Sequence, residues 1–155
     1  MKRWLCYFFA IVAVAALSGK SSAGQEIGDL QPIQTVALTF EQGMVVIRTD
    51  TDNCGIGQSL PDAVADMEAS ASGKLFLETA DYLLLAPECR DLVPAMMEYL
   101  RPSCILCMME GQPELELVAD FLKHHDPKVT MLRYRAGDRR LQTLITQKGR
   151  MELVS

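Results

Sequence analysis

Histidine is almost missing from this chain: among 155 residues only His124 and His125 carry an imidazole, and they are neighbours. On a helix two adjacent side chains point about 100° apart, so this pair cannot close on one metal ion. Neither stands with a serine and an aspartate in a grouping that would build a nucleophilic triad. A phosphate-cradling glycine loop is lacking too, because Gly55-Ile56-Gly57 is followed by none of the rest of the dinucleotide fingerprint. Asp50, Asp52 and Gly55 imitate the start of a calcium loop. In that loop Cys54 stands where an oxygen ligand belongs, and Pro61 where a bidentate Glu is required. Paired catalytic carboxylates are also wanting. No residue is therefore assigned a catalytic, cofactor or metal role, and no small-molecule ligand is expected.

Long apolar runs are equally scarce. The longest, Trp4 to Leu17, has 14 residues, short of the roughly 20 that span a bilayer as a helix. Lys2 and Arg3 precede it, and Ser21 and Ala23 supply small residues after it. This is the layout of a secretory signal, so residues 1–23 are expected to be removed and 24–155 to form a single domain. Leu17-Ser18-Gly19 reads like the first three positions of a bacterial lipobox, but the required cysteine is Lys20, and Cys6 lies on the wrong side of the apolar run. The expectation is an exported chain, soluble after cleavage or loosely membrane-associated, with an uncleaved N-terminal anchor as the alternative.

The net charge of −5 conceals a strong polarity. Residues 24–127 carry 5 Lys and Arg against 18 Asp and Glu, a net of −13, whereas residues 128–155 carry 7 against 2, a net of +5. The simplest reading is a basic segment that packs as strands against an acidic body. The basic residues are not interleaved with aromatics, which make up only 6% of the chain, and this argues against a nucleic-acid partner. At 49% hydrophobic and 23% charged the chain has a globular composition.

The patterning predicts a mixed α/β fold. Thr35 to Phe40 and Met44 to Thr49, separated by Glu41-Gln42-Gly43, read as a β-hairpin. Ser59 and Asp62 form a variant capping box. Beyond it Leu60, Ala63, Val64 and Met67 mark the buried face of a helix to about Ala69. The run Leu75 to Leu77 and then Tyr82 to Ala86 is too apolar for an exposed face and suggests interior strand, in a central position. A second helix is predicted from Asp91 to Leu100, a buried strand from Ser103 to Met109, and a third helix opened by Pro113 and closed by Lys123, His124 and His125. Val129 to Tyr134, Leu141 to Gln147 and Met151 to Val154 complete the set as strands. About three helices should thus pack on one mixed sheet.

Four cysteines follow the signal segment: Cys54, Cys89, Cys104 and Cys107. Cys104 and Cys107 form a CxxC, but Ile105, Leu106, Met108 and Met109 make its surroundings strand-like rather than the helix N-terminus of a redox pair. In a strand, positions i and i+3 face opposite sides, which opposes a bond between them. Buried structural thiols are expected, with a disulfide to Cys54 or Cys89 as the alternative.

Several of these segments together resemble a known family. Ile27-Gly28-Asp29-Leu30, the hairpin with Glu41-Gln42-Gly43, Gly57-Gln58-Ser59-Leu60-Pro61-Asp62-Ala63-Val64 leading into Lys74-Leu75-Phe76-Leu77, and Asp91 to Leu100 resemble the N-terminal domain of the Ger(x)C family. Its members are lipoprotein C subunits of spore germinant receptors. Family members usually carry the lipobox cysteine that is Lys20 here, and a Gly-His where this chain has Glu78-Thr79. The resemblance implies a non-enzymatic binding or assembly module with protein partners at a membrane surface, related to spore germination. The alternative from another class is a small secreted thiol-dependent or hydrolytic enzyme without a recognisable motif.

Overall fold

The computed structural model describes residues 32–155, so the expected signal segment 1–23 and the Ile27-Gly28-Asp29-Leu30 stretch lie outside the described residues. Strands β1 (Thr35–Glu41) and β2 (Met44–Thr49) form the hairpin that the sequence predicts. Gln42 and Gly43 close it, both at positive φ (51° and 82°), as a two-residue turn between right-twisted strands requires. A short β3 (Cys54–Gly57) pairs antiparallel with β2. On the other side of β1 lie β4 (Tyr82–Leu85), β5 (Ile105–Glu110) and β6 (Thr143–Gln147), all parallel to it. Strand β7 (Arg150–Val154) returns antiparallel on β6 through Lys148 and Gly149. The result is one seven-stranded mixed sheet in the order β3-β2-β1-β4-β5-β6-β7.

Helices cover both faces, as a parallel core demands. Helix α1 (Leu60–Ser70), the short α2 (Val93–Met96) and the short α4 (Met131–Arg135) contribute to one apolar cluster, against Val36, Leu38, Leu83, Leu85 and Leu106 of the sheet. Helix α3 (Leu115–His125) covers the opposite face, placing Val118, Ala119 and Leu122 on Ala37, Leu84, Cys107 and Leu144. Every residue of β4 is buried, which bears out its central placement. Ser59 caps α1 as expected: its Oγ accepts the Asp62 N–H at 3.4 Å, and its hydroxyl lies 2.6 Å from Asp62 Oδ2. The carboxylate is thus held by the serine hydroxyl itself, which makes this a variant of the reciprocal box.

The structure corrects several sequence-based expectations. Among the described residues there are four α-helices rather than about three, with two further 3₁₀ turns at Leu77–Thr79 and Pro87–Leu92. Val129 to Tyr134 is not a strand. The Thr130 hydroxyl accepts the Arg133 N–H at 3.3 Å and starts α4 there, so extended chain stops at a single bridge between Thr130 and Ile105. The Asp91–Leu100 helix is reduced to α2, preceded by 3₁₀ turn and followed by turns in which the Tyr99 and Leu100 N–H groups both reach the Met96 carbonyl. Pro87 and Pro94, two residues without an N–H in one short connection, shorten any continuous α-helical ladder. Leu75 to Leu77 contributes only an isolated bridge from Phe76 to Pro32 before the chain tightens into 3₁₀.

The contact between α1 and β3 depends on two glycines. A Cβ on Gly55 would run into the Ala63 carbonyl oxygen and fall 2.6 Å from Met67 Cβ, and one on Gly57 would run into the Ala63 nitrogen and fall 2.6 Å from Asp62 Cβ. Gly55→Ala or Gly57→Ala is therefore expected to push α1 off the sheet and lower stability by about 1 to 3 kcal/mol, the usual range for overpacking, as read by urea denaturation. Residues 128–155 supply Met131, Tyr134 and Leu144 to the two clusters and the strand that covers the outer side of β5. A chain ending at Pro127 should lose cooperative thermal unfolding and aggregate through the exposed β5 edge. A sharp melt from that truncated chain would contradict this account.

Candidate functional site

The CxxC segment is sealed into the core, one thiol in each layer. Cys104 precedes β5 and packs in the cluster under α1, α2 and α4, whereas Cys107 lies within β5 and packs under α3. The opposed-face expectation holds even though Cys104 falls just outside the strand. Both are about 1% exposed or less, and burial pushes each thiol up to about 12, the Arg101 charge opposing only part of that rise at Cys104. Cys89 is raised to about 11, first by burial and then by the neighbouring Glu88 carboxylate. All three are free, as is Cys54, which is exposed, so the alternative disulfide is absent from the structure. A thiol held this far above its ordinary value is a poor nucleophile near neutral pH.

The two histidines finish α3. Nδ1 of His124 lies 2.7 Å from the Asp120 carbonyl oxygen and Nδ1 of His125 lies 2.8 Å from that of Phe121, so each ring satisfies a carbonyl of the last turn. His125 also stacks on Phe121 with ring centroids 3.9 Å apart. Their role is to close a helix. Among the described residues no group of three or more His, Cys, Asp and Glu side chains is placed to hold a metal ion.

A cleft of about 500 Å³ opens where the β2–β3 connection faces the start of α3, lined by Arg48, Asp50, Asp52, Cys54, Glu114 and Glu116 among others. The Asp50 carboxylate accepts the Gln34 N–H at 3.0 Å and so ties the entry of β1 to the exit of β2. Burial holds its pKa above the usual carboxylate value; backbone donors work against that rise, and the Glu116 charge adds to it. Asn53 stiffens the same loop by donating to Thr51 Oγ1 at 2.8 Å. The cleft's guanidinium, Arg48, is engaged by Glu41 at 3.1 Å. Four carboxylates facing one compensated cation make the cleft a place for positive charge and a poor one for anions. The imitation calcium loop is thus a structural tie at Asp50 beside an acidic opening.

The two sheet edges are finished differently. On β3 the outward N–H of Ile56 donates to Asp66 Oδ2 at 2.9 Å, and the carbonyl of Cys54 accepts the Ser70 hydroxyl at 3.4 Å. Side chains of α1 thereby occupy main-chain groups that another strand would use. On β7 the described residues offer nothing comparable. The Lys148–Gly149 turn has positive φ at both positions (49° and 74°), the signature of a type I′ hairpin whose flanking pair, Gln147 and Arg150, is hydrogen-bonded. Alternate residues therefore bond inward at 150, 152 and 154, leaving the N–H and C=O of Met151 and Leu153 directed away from β6. Nothing in the composition singled out this edge, because its state depends on which strand ends the sheet.

The thiols give a test of this burial. In the unfolded chain they titrate near 8.5, whereas in the fold three of them keep their protons to about 11 or 12. Unfolding therefore releases protons above about pH 8.5, and the stabilisation, complete below that pH, is lost as pH rises through the folded values. The urea midpoint should be flat between about pH 7 and 8 and fall steadily above about 9. At neutral pH an aromatic disulfide reagent should label Cys54 at once and Cys89, Cys104 and Cys107 only after denaturation. Rapid native labelling of Cys104 or Cys107 would instead restore the redox reading.

No family model, no curated protein and no solved structure matches the chain.

Proposed function

We propose that this chain is an exported, non-enzymatic binding and assembly module that engages a protein partner at a membrane surface, in a role related to spore germination. The resemblance to the Ger(x)C N-terminal domain supplies the setting. The observation that carries the binding reading is the unequal finish of the two sheet edges: β3 is capped by Asp66 and Ser70, while among the described residues nothing bonds the outward main-chain groups of Met151 and Leu153 on β7. An exposed strand edge is a template for another strand, and recognition by strand addition takes its affinity from such groups. The side chains of Met151 and Leu153 are half-buried against the α3 layer, so the edge is backed by packed core and needs little ordering before it binds. Among the described residues no helix is long and apolar enough to cross a membrane, so contact with a membrane in this reading runs through the protein partner or through the N-terminal segment.

A photo-reactive side chain at Val154, an exposed β7 position, compared with one at Glu68, an exposed position on α1, tests this in cells that export the chain. Illumination should give a discrete protein adduct from position 154 and none from position 68. Failure of position 154 to give any adduct would overturn the reading.

A further inference from the structure

Resting on the binding reading above, the register of β7 also names a partner. We propose that β7 is a homodimerisation edge, at which two copies pair antiparallel about a two-fold axis through Met151, with Arg150 of each opposite Glu152 of the other.

The argument starts from which groups face outward. On β7, Met151 and Leu153 direct their main-chain donors and acceptors outward, with no partner among the described residues, so any antiparallel strand that adds there must form its hydrogen-bonded pairs with these two residues. For a second copy of the same strand that leaves three symmetric or near-symmetric alignments: Met151 against Met151, Met151 against Leu153, or Leu153 against Leu153. The second sets Glu152 directly against its own equivalent, two like charges at the close, non-hydrogen-bonded spacing, which is repulsive. The third, which like the first overlaps three residues of each strand, puts Glu152 opposite the apolar Val154 and leaves Arg150 without an opposite charge.

The first alignment alone pairs opposite charges. Arg150 faces the partner's Glu152, and by the two-fold axis Glu152 faces the partner's Arg150, the reciprocity of an isologous contact. Both pairs fall at non-hydrogen-bonded positions, where side chains lie closest. Arg150 and Glu152 are exposed in the single chain and share one face of the strand, so neither must leave a structural partner to make these contacts. On the other face the Met151 side chains meet at the axis, next to Leu153, and the apolar layer under α3 continues from one copy into the next. The strand Arg150-Met151-Glu152 is thus self-complementary in charge, hydrogen bonding and apolar content at a single register. A five-residue edge buries a small area, which places this dimer in the weak, concentration-dependent class.

Sedimentation of the purified chain over a wide concentration range should show a reversible shift towards twice the monomer mass. Arg150→Glu or Glu152→Arg should each weaken association at least tenfold, because each creates two like-charge pairs, and the exchanged variant R150E/E152R should restore it to within about threefold of the parent. Thermal melts of all three should match the parent, since both side chains are exposed. Register is read separately in a Cys54→Ser background. Met151→Cys should cross-link two chains under oxidation, since Cα atoms of an antiparallel pair lie about 5.5 Å apart. Leu153→Cys should not, being several residues out of register with its equivalent. A chain that stays monomeric at all concentrations overturns the proposal, as does a dimer indifferent to the charge exchange or cross-linked at 153 and not at 151. If the Val154 photo-adduct contains only a different protein while the purified chain is monomeric, the second copy is refuted and the binding reading survives. No adduct at all removes both.

Discussion

The burial of β4 on both faces is the constraint that the rest of this molecule serves. Tyr82-Leu83-Leu84-Leu85 has no polar face to offer water, so the strand needs a neighbour on each side and a helical layer above and below. Parallel pairing with β1 and β5 satisfies its main chain, and parallel pairing in turn forces long connections, which supply the covering helices. Leu83 and Leu85 look into the layer built by α1, α2 and α4, and Leu84 into the layer under α3. The two hairpins then extend a parallel centre whose own edge strands would otherwise be bare.

What was legible in the sequence was whatever is decided locally. The first hairpin, the Ser59 cap with the Leu60-Ala63-Val64-Met67 stripe, the apolar β4 and the last hairpin each carry their signal within a few residues, and each stands where the pattern puts it. Val129 to Tyr134 failed because two periods overlap. Pro127, Val129 and Met131 are buried in alternation, as in a strand, while Met131 and Tyr134 are buried at helical spacing, and the switch is made by one hydroxyl at Thr130. Asp91 to Leu100 failed because an apolar stripe is compatible with 3₁₀ and turn as well as with α-helix once prolines interrupt the ladder. The cleft and the edges were illegible for a different reason. The cleft joins residues near 50 to residues near 115, and the seal on β3 joins Ile56 to Asp66 and Cys54 to Ser70 across the turn into α1, contacts that no window of periodicity encodes.

The basic C-terminal residues sit on α4 (Arg133, Arg135), on the connections either side of β6 (Arg139, Arg140, Lys148) and at the start of β7 (Arg150), while Asp50, Asp52, Glu114 and Glu116 line the acidic opening. The segment does join the sheet as β6 and β7, but β6 has no basic residue and β7 has one Arg against one Glu, so the positive charge sits on α4 and the connecting turns rather than on strands. Arg90, from the acidic body, donates to the Arg139 carbonyl at 2.7 Å, so the basic segment is also tied down through its main chain.

The seal that α1 places on β3 has a consequence for size. A sheet with two open edges can add copies head to tail without limit, and unclosed heterologous contacts of that kind build fibres. Here Gly55 and Gly57 let the helix lie close enough for Asp66 and Ser70 to cap one edge, so growth can proceed from β7 alone. Any strand that docks there consumes the remaining template, and accretion halts after one addition. Two glycines without side chains thereby act as a chain terminator, setting an upper bound on how large an assembly of this sheet can become.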